Sequence, residues 1–186
     1  MGDKEKIIIL PHCFLNEKSK VKKHGINPSA DIGQILKILL DNQIGMVQLP
    51  CPELMCYGLK RWGHVKEQFD TPHYRKLCRQ SFDIYLEQIQ EYIKNNYEII
   101  AIVGIEGSPS CGVYRTCSGE WGGEFSSNTN LSETLETIKM IESKGVFIEE
   151  IDNILKENNI NIPFVDFNKN NIEEFMDTLK DLLGVS

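Results

Sequence analysis

No stretch of this 186-residue chain stays apolar for long. The longest such run, Ile99-Ile100-Ala101-Ile102-Val103, stops at Gly104, far short of the roughly 20 residues that cross a bilayer, so a membrane-spanning helix is excluded. Neither G-x-G-x-x-G nor G-x-x-x-x-G-K followed by Ser or Thr occurs, which removes the dinucleotide fingerprint and the P-loop. Histidine is scarce, and the four residues at 12, 24, 64 and 73 show no helical metal spacing. Positive charge is in deficit, with 20 Lys and Arg against 27 Asp and Glu and a formal charge of −7. Affinity for a nucleic-acid polymer rests on many phosphate neutralisations, so such a partner is not expected. Residues 127–186 carry 12 acidic and 5 basic side chains, which reads as a solvated acidic surface, while the first 126 residues balance at 15 against 15. The opening Met1-Gly2-Asp3-Lys4-Glu5-Lys6 and the short apolar stretch ended by Pro11 do not make a signal-peptide core. Lys6 breaks the myristoylation pattern, and a cytoplasmic location is expected.

What is present has a globular balance, 41% hydrophobic and 25% charged, and a chain this long fits one core, so residues 1–186 are expected to form a single domain. Residues 6–10 are a strand-type run. Asn27-Pro28 supplies an N-cap and a first-turn proline for a helix carrying Ile32, Ile35, Leu36, Leu39 and Leu40. Residues 45–49 read as a second strand, and Thr71-Pro72 opens a long helix whose apolar face recurs at Tyr74, Leu77, Cys78, Phe82, Tyr85, Ile89 and Tyr92. Residues 98–105 are apolar enough for a central strand. After a glycine-rich loop the pattern predicts a helix over 132–143, a strand at 146–148, a helix over 149–158, a strand over 160–167 and a closing helix over 171–183. This alternation implies an α/β, Rossmann-like fold, a mostly parallel sheet with helices on both faces, because parallel neighbours need crossover connections.

Six cysteines in a reducing compartment are thiols, so their use is metal ligation or nucleophilic chemistry. In a parallel sheet every C-terminal strand end lies on one edge, where ligands bind. Cys13 falls just past the first predicted strand, Cys51 just past the second and Cys111 six residues past the third. Prolines flank all three, at Pro11, at Pro50 and Pro52, and at Pro109, and each fixes the backbone that carries a side chain. Separations of 38 and 60 residues far exceed zinc-ribbon spacing, and closing such loops costs about 3 to 4 kcal/mol each, so the folded sheet has to gather them. Cys78, on an apolar helix face, reads as a core residue. Six of the 14 glycines fall between Gly104 and Gly123, which marks unusual backbone or close approach in the third loop. A phosphatase-type thiol nucleophile would need Arg where Cys117 stands. Three soft thiolates favour an iron-sulfur cluster or zinc, and three ligands leave one metal position open, as in a catalytic site.

Cys13 after the first strand, Cys51-Pro52-Glu53 with Gly58-Leu59 downstream, Ser108-Pro109-Ser110-Cys111-Gly112 and Gly145-Val146-Phe147-Ile148-Glu149 together resemble the 2-thiouracil desulfidase (TudS) family. The matches are spread over about residues 6 to 150. The resemblance implies a 4Fe-4S cluster held by Cys13, Cys51 and Cys111, on loops 11–25, 50–64 and 106–124, with a unique iron free to take sulfur from a thiolated pyrimidine without net redox change. It also implies Glu53 as catalytic acid/base and Ser108 as a supporting hydroxyl. The chain departs from the family at Val21-Lys22-Lys23-His24-Gly25 and at Cys56-Tyr57-Gly58-Leu59-Lys60-Arg61-Trp62, two segments expected to border the substrate.

The chemistry of the residues agrees with these roles. Glu53, two residues from a cysteine, can take a proton from an attacking water, and Ser108 can donate to developing negative charge, although an N-cap or turn role suits a Ser before Pro nearly as well. His12 and His64 are optional proton carriers. The basic clusters at Lys18, Lys20, Lys22, Lys23 and His24 and at Lys60, Arg61, His64 and Lys66 each follow a cysteine loop and could meet one small anion. The expected activity is release of sulfide from a small thiolated substrate, a thiopyrimidine base or nucleotide. The alternatives are a non-catalytic cluster or zinc module closed by Cys56 or Cys117, and a metal-free α/β binding protein.

Overall fold

The computed structural model describes residues 4–22 and 32–185. The chain runs β1 (Lys6–Leu10), α1 (His12–Leu15), α2 (Ile32–Asp41), β2 (Gly45–Gln48), α3 (Pro52–Tyr57), α4 (Lys66–Phe69), α5 (Pro72–Lys94), β3 (Glu98–Ile105), β4 (Arg115–Ser118), α6 (Leu131–Glu136), β5 (Lys139–Glu142), α7 (Val146–Glu157), β6 (Phe164–Phe167) and α8 (Ile172–Leu183). Strands β2-β1-β3-β6, in that spatial order, make a four-stranded sheet in which every pairing is parallel. The expected mostly parallel Rossmann-like α/β fold is the one observed. No helix among the described residues is long and apolar enough to cross a membrane.

Alternating side chains on the strands feed two cores, one on each face of the sheet. Ile7, Ile9 and Ile102 pack with Tyr74, Cys78, Phe82 and Ile89 of α5 and with Val146, Ile151 and Ile154 of α7. Ile8, Leu10 and Val103 pack on the opposite face with Phe14, with Ile35 and Leu39 of α2, and with Phe175, Leu179 and Leu183 of α8. Helix α5 starts as its sequence predicts: Thr71 Oγ1 accepts the Tyr74 N–H at 3.2 Å and Pro72 occupies the first turn. The Asn27-Pro28 start expected for α2 lies outside the described residues, as do Lys23, His24 and Gly25.

Three expected elements differ. The helix over 132–143 ends at Glu136, and residues 139–142 form β5, paired antiparallel with β4. The partner strand lies about twenty residues upstream, so local periodicity did not report it. The strand at 146–148 is the first turn of α7: Gly145 caps the helix, and Val146, Phe147 and Ile148 are all buried. A short apolar run reads the same as a strand or a buried helical turn. The strand over 160–167 shrinks to Phe164–Phe167, because Pro163 has no N–H to continue the ladder. The acidic C-terminal part is also not uniformly solvated: Arg75 pairs with Glu149 at 2.8 Å and Glu150 at 2.6 Å, and Arg79 with Glu150 at 3.1 Å and Glu157 at 2.5 Å, clamping α5 to α7.

Candidate functional site

Successive strands leave β1 first toward β2 and then, after α5, toward β3 on its other side. Strand order therefore reverses at β1, and the crevice beyond the C-terminal ends of such a switch point is where open α/β sheets bind ligands. Cys13 sits in α1, directly after β1, and Cys51 is the N-cap of α3, after β2. Cys111 lies in the loop after β3. The first two loops are tied together: Leu49 N–H continues the ladder to Leu10 O at 2.8 Å, and Gln48 Nε2 donates to His12 O at 2.9 Å. The third folds back on its own strand, with Ile105 N–H donating to Cys111 O at 2.9 Å. That return passes so close to β3 that a Cβ on Gly104 would stand 2.4 Å from the Cys111 carbonyl oxygen.

The three thiols lie within electrostatic reach of one another. Burial pushes Cys13 up to about 11, with Cys51 and Glu53 adding to the shift. Burial also raises Cys51, with Glu53 contributing, although its Sγ accepts the Leu54 N–H at 3.4 Å. Cys111, 8% exposed, is raised well above the ordinary thiol range by burial and then by Cys51 and Cys13. The negative charge of Glu53 acts on all three. Among the described residues no group of three His, Cys, Asp or Glu side chains closes on a single-ion site. A cluster asks for a different arrangement, since each thiolate takes its own iron, and three soft donors from three strand ends fit it.

Glu53, in the first turn of α3, accepts from Arg61 Nε at 2.7 Å. The guanidinium also donates to Gly58 O at 3.0 Å and Ser19 O at 2.7 Å, so every arm of this 9%-exposed side chain faces inward. Arg61 is a carboxylate-orienting clamp that ties α3 to the loop after α1, a role the sequence hid because the two residues lie eight positions apart across the end of α3. Ser108 Oγ accepts the N–H groups of Cys111 at 3.0 Å and Ser110 at 3.3 Å, which is the capping role, and its own proton remains the group it can offer a substrate. Asp166, inside β6, accepts the Val113 N–H at 2.9 Å and the Tyr114 N–H at 2.8 Å and so pins the far end of the cysteine loop. A lone Asp in an apolar strand was the available signal for it.

The remaining expectations divide. Cys78 is fully buried in the core, as expected. Cys56 packs against that same core from α3, while Cys117 lies on β4, where Glu67 is its charged neighbour. His64 packs against both Tyr57 and Phe69, with ring centroids 4.7 and 4.8 Å away, and burial lowers its pKa. The second basic cluster does not present an anion site in the expected form, because Arg61 is spent on Glu53, and Lys66 bonds Glu149 and the Ser143 hydroxyl. A cleft of about 280 Å³ opens between β6 and the start of α8, lined by Glu106, Arg115, Asp166 and Asn171, and none of the expected site residues borders it.

No family model matches the chain. A solved 4Fe-4S-dependent thiouracil desulfidase, TudS, aligns over 95% of this chain and 99% of its own with a TM-score of 0.50 and 19% identity, a likeness of fold. An uncharacterized protein of Methanocaldococcus jannaschii is 30% identical over 182 residues, covering 96% of this chain and 97% of that protein. At that identity over nearly the whole of both chains, the chain belongs to the family of the Methanocaldococcus protein.

Proposed function

We propose that the protein is an iron-sulfur-dependent, non-redox desulfidase that releases sulfide from a small thiolated substrate, a thiopyrimidine base or nucleotide. The carrying observation is that three proline-flanked thiols from the ends of three adjacent parallel strands gather within electrostatic reach of one carboxylate, Glu53. Cys13, Cys51 and Cys111 would hold a 4Fe-4S cluster, and the fold likeness to a 4Fe-4S-dependent thiouracil desulfidase supports that assignment. When bound, the cluster supplies a Lewis-acidic iron for the substrate's sulfur.

The chain's own residues do the rest. Glu53, oriented by Arg61, accepts a proton from the water that replaces sulfur, and the Ser108 hydroxyl donates toward negative charge developing on the substrate. The test is anaerobic purification followed by iron analysis, a visible spectrum and assay of sulfide release from 2-thiouracil, 4-thiouridine and its monophosphate. Glu53→Gln should slow release about 100- to 10,000-fold with iron retained. A colourless, iron-free protein, or undiminished release by Glu53→Gln, overturns the cluster or the base assignment respectively.

A further inference from the structure

Two buried hydroxyls beside the cysteines have no part in that scheme. Tyr74 and Ser110 are each 1% exposed. The Tyr74 hydroxyl donates to Ser110 Oγ at 2.8 Å, and the same Oγ stands 3.7 Å from Cys111 Sγ. A hydroxyl owns one proton and two lone pairs, so the direction of each bond follows from counting. With Cys111 as a neutral thiol, the S–H can point to Ser110. With Cys111 as a thiolate, sulfur only accepts. Ser110, already receiving the phenol proton, then has its own proton to give.

We infer that Tyr74 and Ser110 form a fixed donor relay that delivers one hydrogen bond to the Cys111 thiolate when it ligates a cluster, with Ser110 as the direct donor and Tyr74 as a positioning residue. The inference rests on the cluster reading above. Both members are immobilised in advance. The Tyr74 ring stacks on Phe69 at 4.6 Å and 10°, and the Ser110 carbonyl receives the N–H groups of Phe147 at 2.9 Å and Ile148 at 3.3 Å from the start of α7. Burial raises the Tyr74 phenol well above its ordinary range, so it remains a donor. A hydrogen bond to a ligand sulfur draws charge from it, favours the reduced cluster over the oxidised one and leaves the bound iron a stronger electrophile.

The test is a reductive titration of the reconstituted holoprotein, followed by electron paramagnetic resonance, for wild type, Ser110→Ala and Tyr74→Phe, with iron measured on each sample. Ser110→Ala should lower the midpoint by a tenfold change in the one-electron equilibrium, about 59 mV. Tyr74→Phe should move it the same way by less. If Ser110→Ala sheds iron, Tyr74→Phe decides: a lowered midpoint supports the relay and an unchanged one overturns it. Unchanged midpoints in both variants at full iron overturn the relay and leave the cluster standing. A wild type that takes up no iron refutes the cluster reading, and the relay with it.

Discussion

Cys13, Cys51 and Cys111 are set apart from the other three cysteines by what surrounds them. The charge of Glu53 acts on all three, whereas the carboxylate acting on Cys78 is Glu150 and that acting on Cys117 is Glu67. Changing any of the three to Ser should abolish the cluster, while Cys56→Ala and Cys117→Ala keep iron and activity and Cys78→Ser keeps iron at reduced stability. Iron content and the visible spectrum of each variant check this, and full iron in a Cys13, Cys51 or Cys111 variant would refute the ligand set. The same residues set a pH dependence for the metal-free protein. Burial raises Cys13 from 9.0 to about 11, so between those values the unfolded chain gives up this proton first. Stability from this group is complete below the lower value and is lost as pH rises through the window. Urea unfolding of metal-free wild type and Cys13→Ala should therefore show a steeper alkaline decline in wild type, and equal slopes would rule it out.

At the scale of elements, α7 is the brace of the third cysteine loop. Its opening N–H groups do not wait on solvent: those of Gly145, Val146 and Phe147 donate to the carbonyls of Gly112, Pro109 and Ser110 at 2.8, 3.0 and 2.9 Å. The loop can come this close only because position 145 lacks a side chain. A Cβ there would stand 2.5 Å from Ser110 C, 2.6 Å from its carbonyl oxygen and 2.8 Å from Ser108 O, and all three are backbone atoms. Gly145→Ala should cost about 1 to 3 kcal/mol by overpacking and loosen iron retention, because the atoms that must move carry Cys111. Gly63→Ala, which meets nothing within 4 Å, is the control expected to change neither. Chemical denaturation together with the rate of iron loss to a chelator measures both effects.

For the whole molecule, β1 and β3 contribute to both cores, so neither face can come apart while the other stays packed. The ion pairs that clamp α5 to α7 bind the cysteine loop's brace to the longest helix. We expect a single cooperative urea transition, coincident by near- and far-ultraviolet circular dichroism, with the described residues behaving as one unit. Two separated transitions would divide the chain into independently folding parts.

The alternation of strands and helices, the central β3, the Thr71-Pro72 start of α5 and the placement of three cysteines past three strand ends were legible in the sequence. Each depends on local periodicity, on caps, or on the rule that parallel strands share one C-terminal edge. The sequence could not reveal β5, whose pairing partner is remote, or the helical identity of Val146-Phe147-Ile148, which depends on carbonyls more than thirty residues upstream. Nor could it show that Arg61 and Lys66 point inward to acidic partners and not out to an anion. Those were decided by tertiary structure, because a charged side chain takes the direction of the countercharge that folding brings to it, and a buried donor takes whichever acceptor the packed chain supplies.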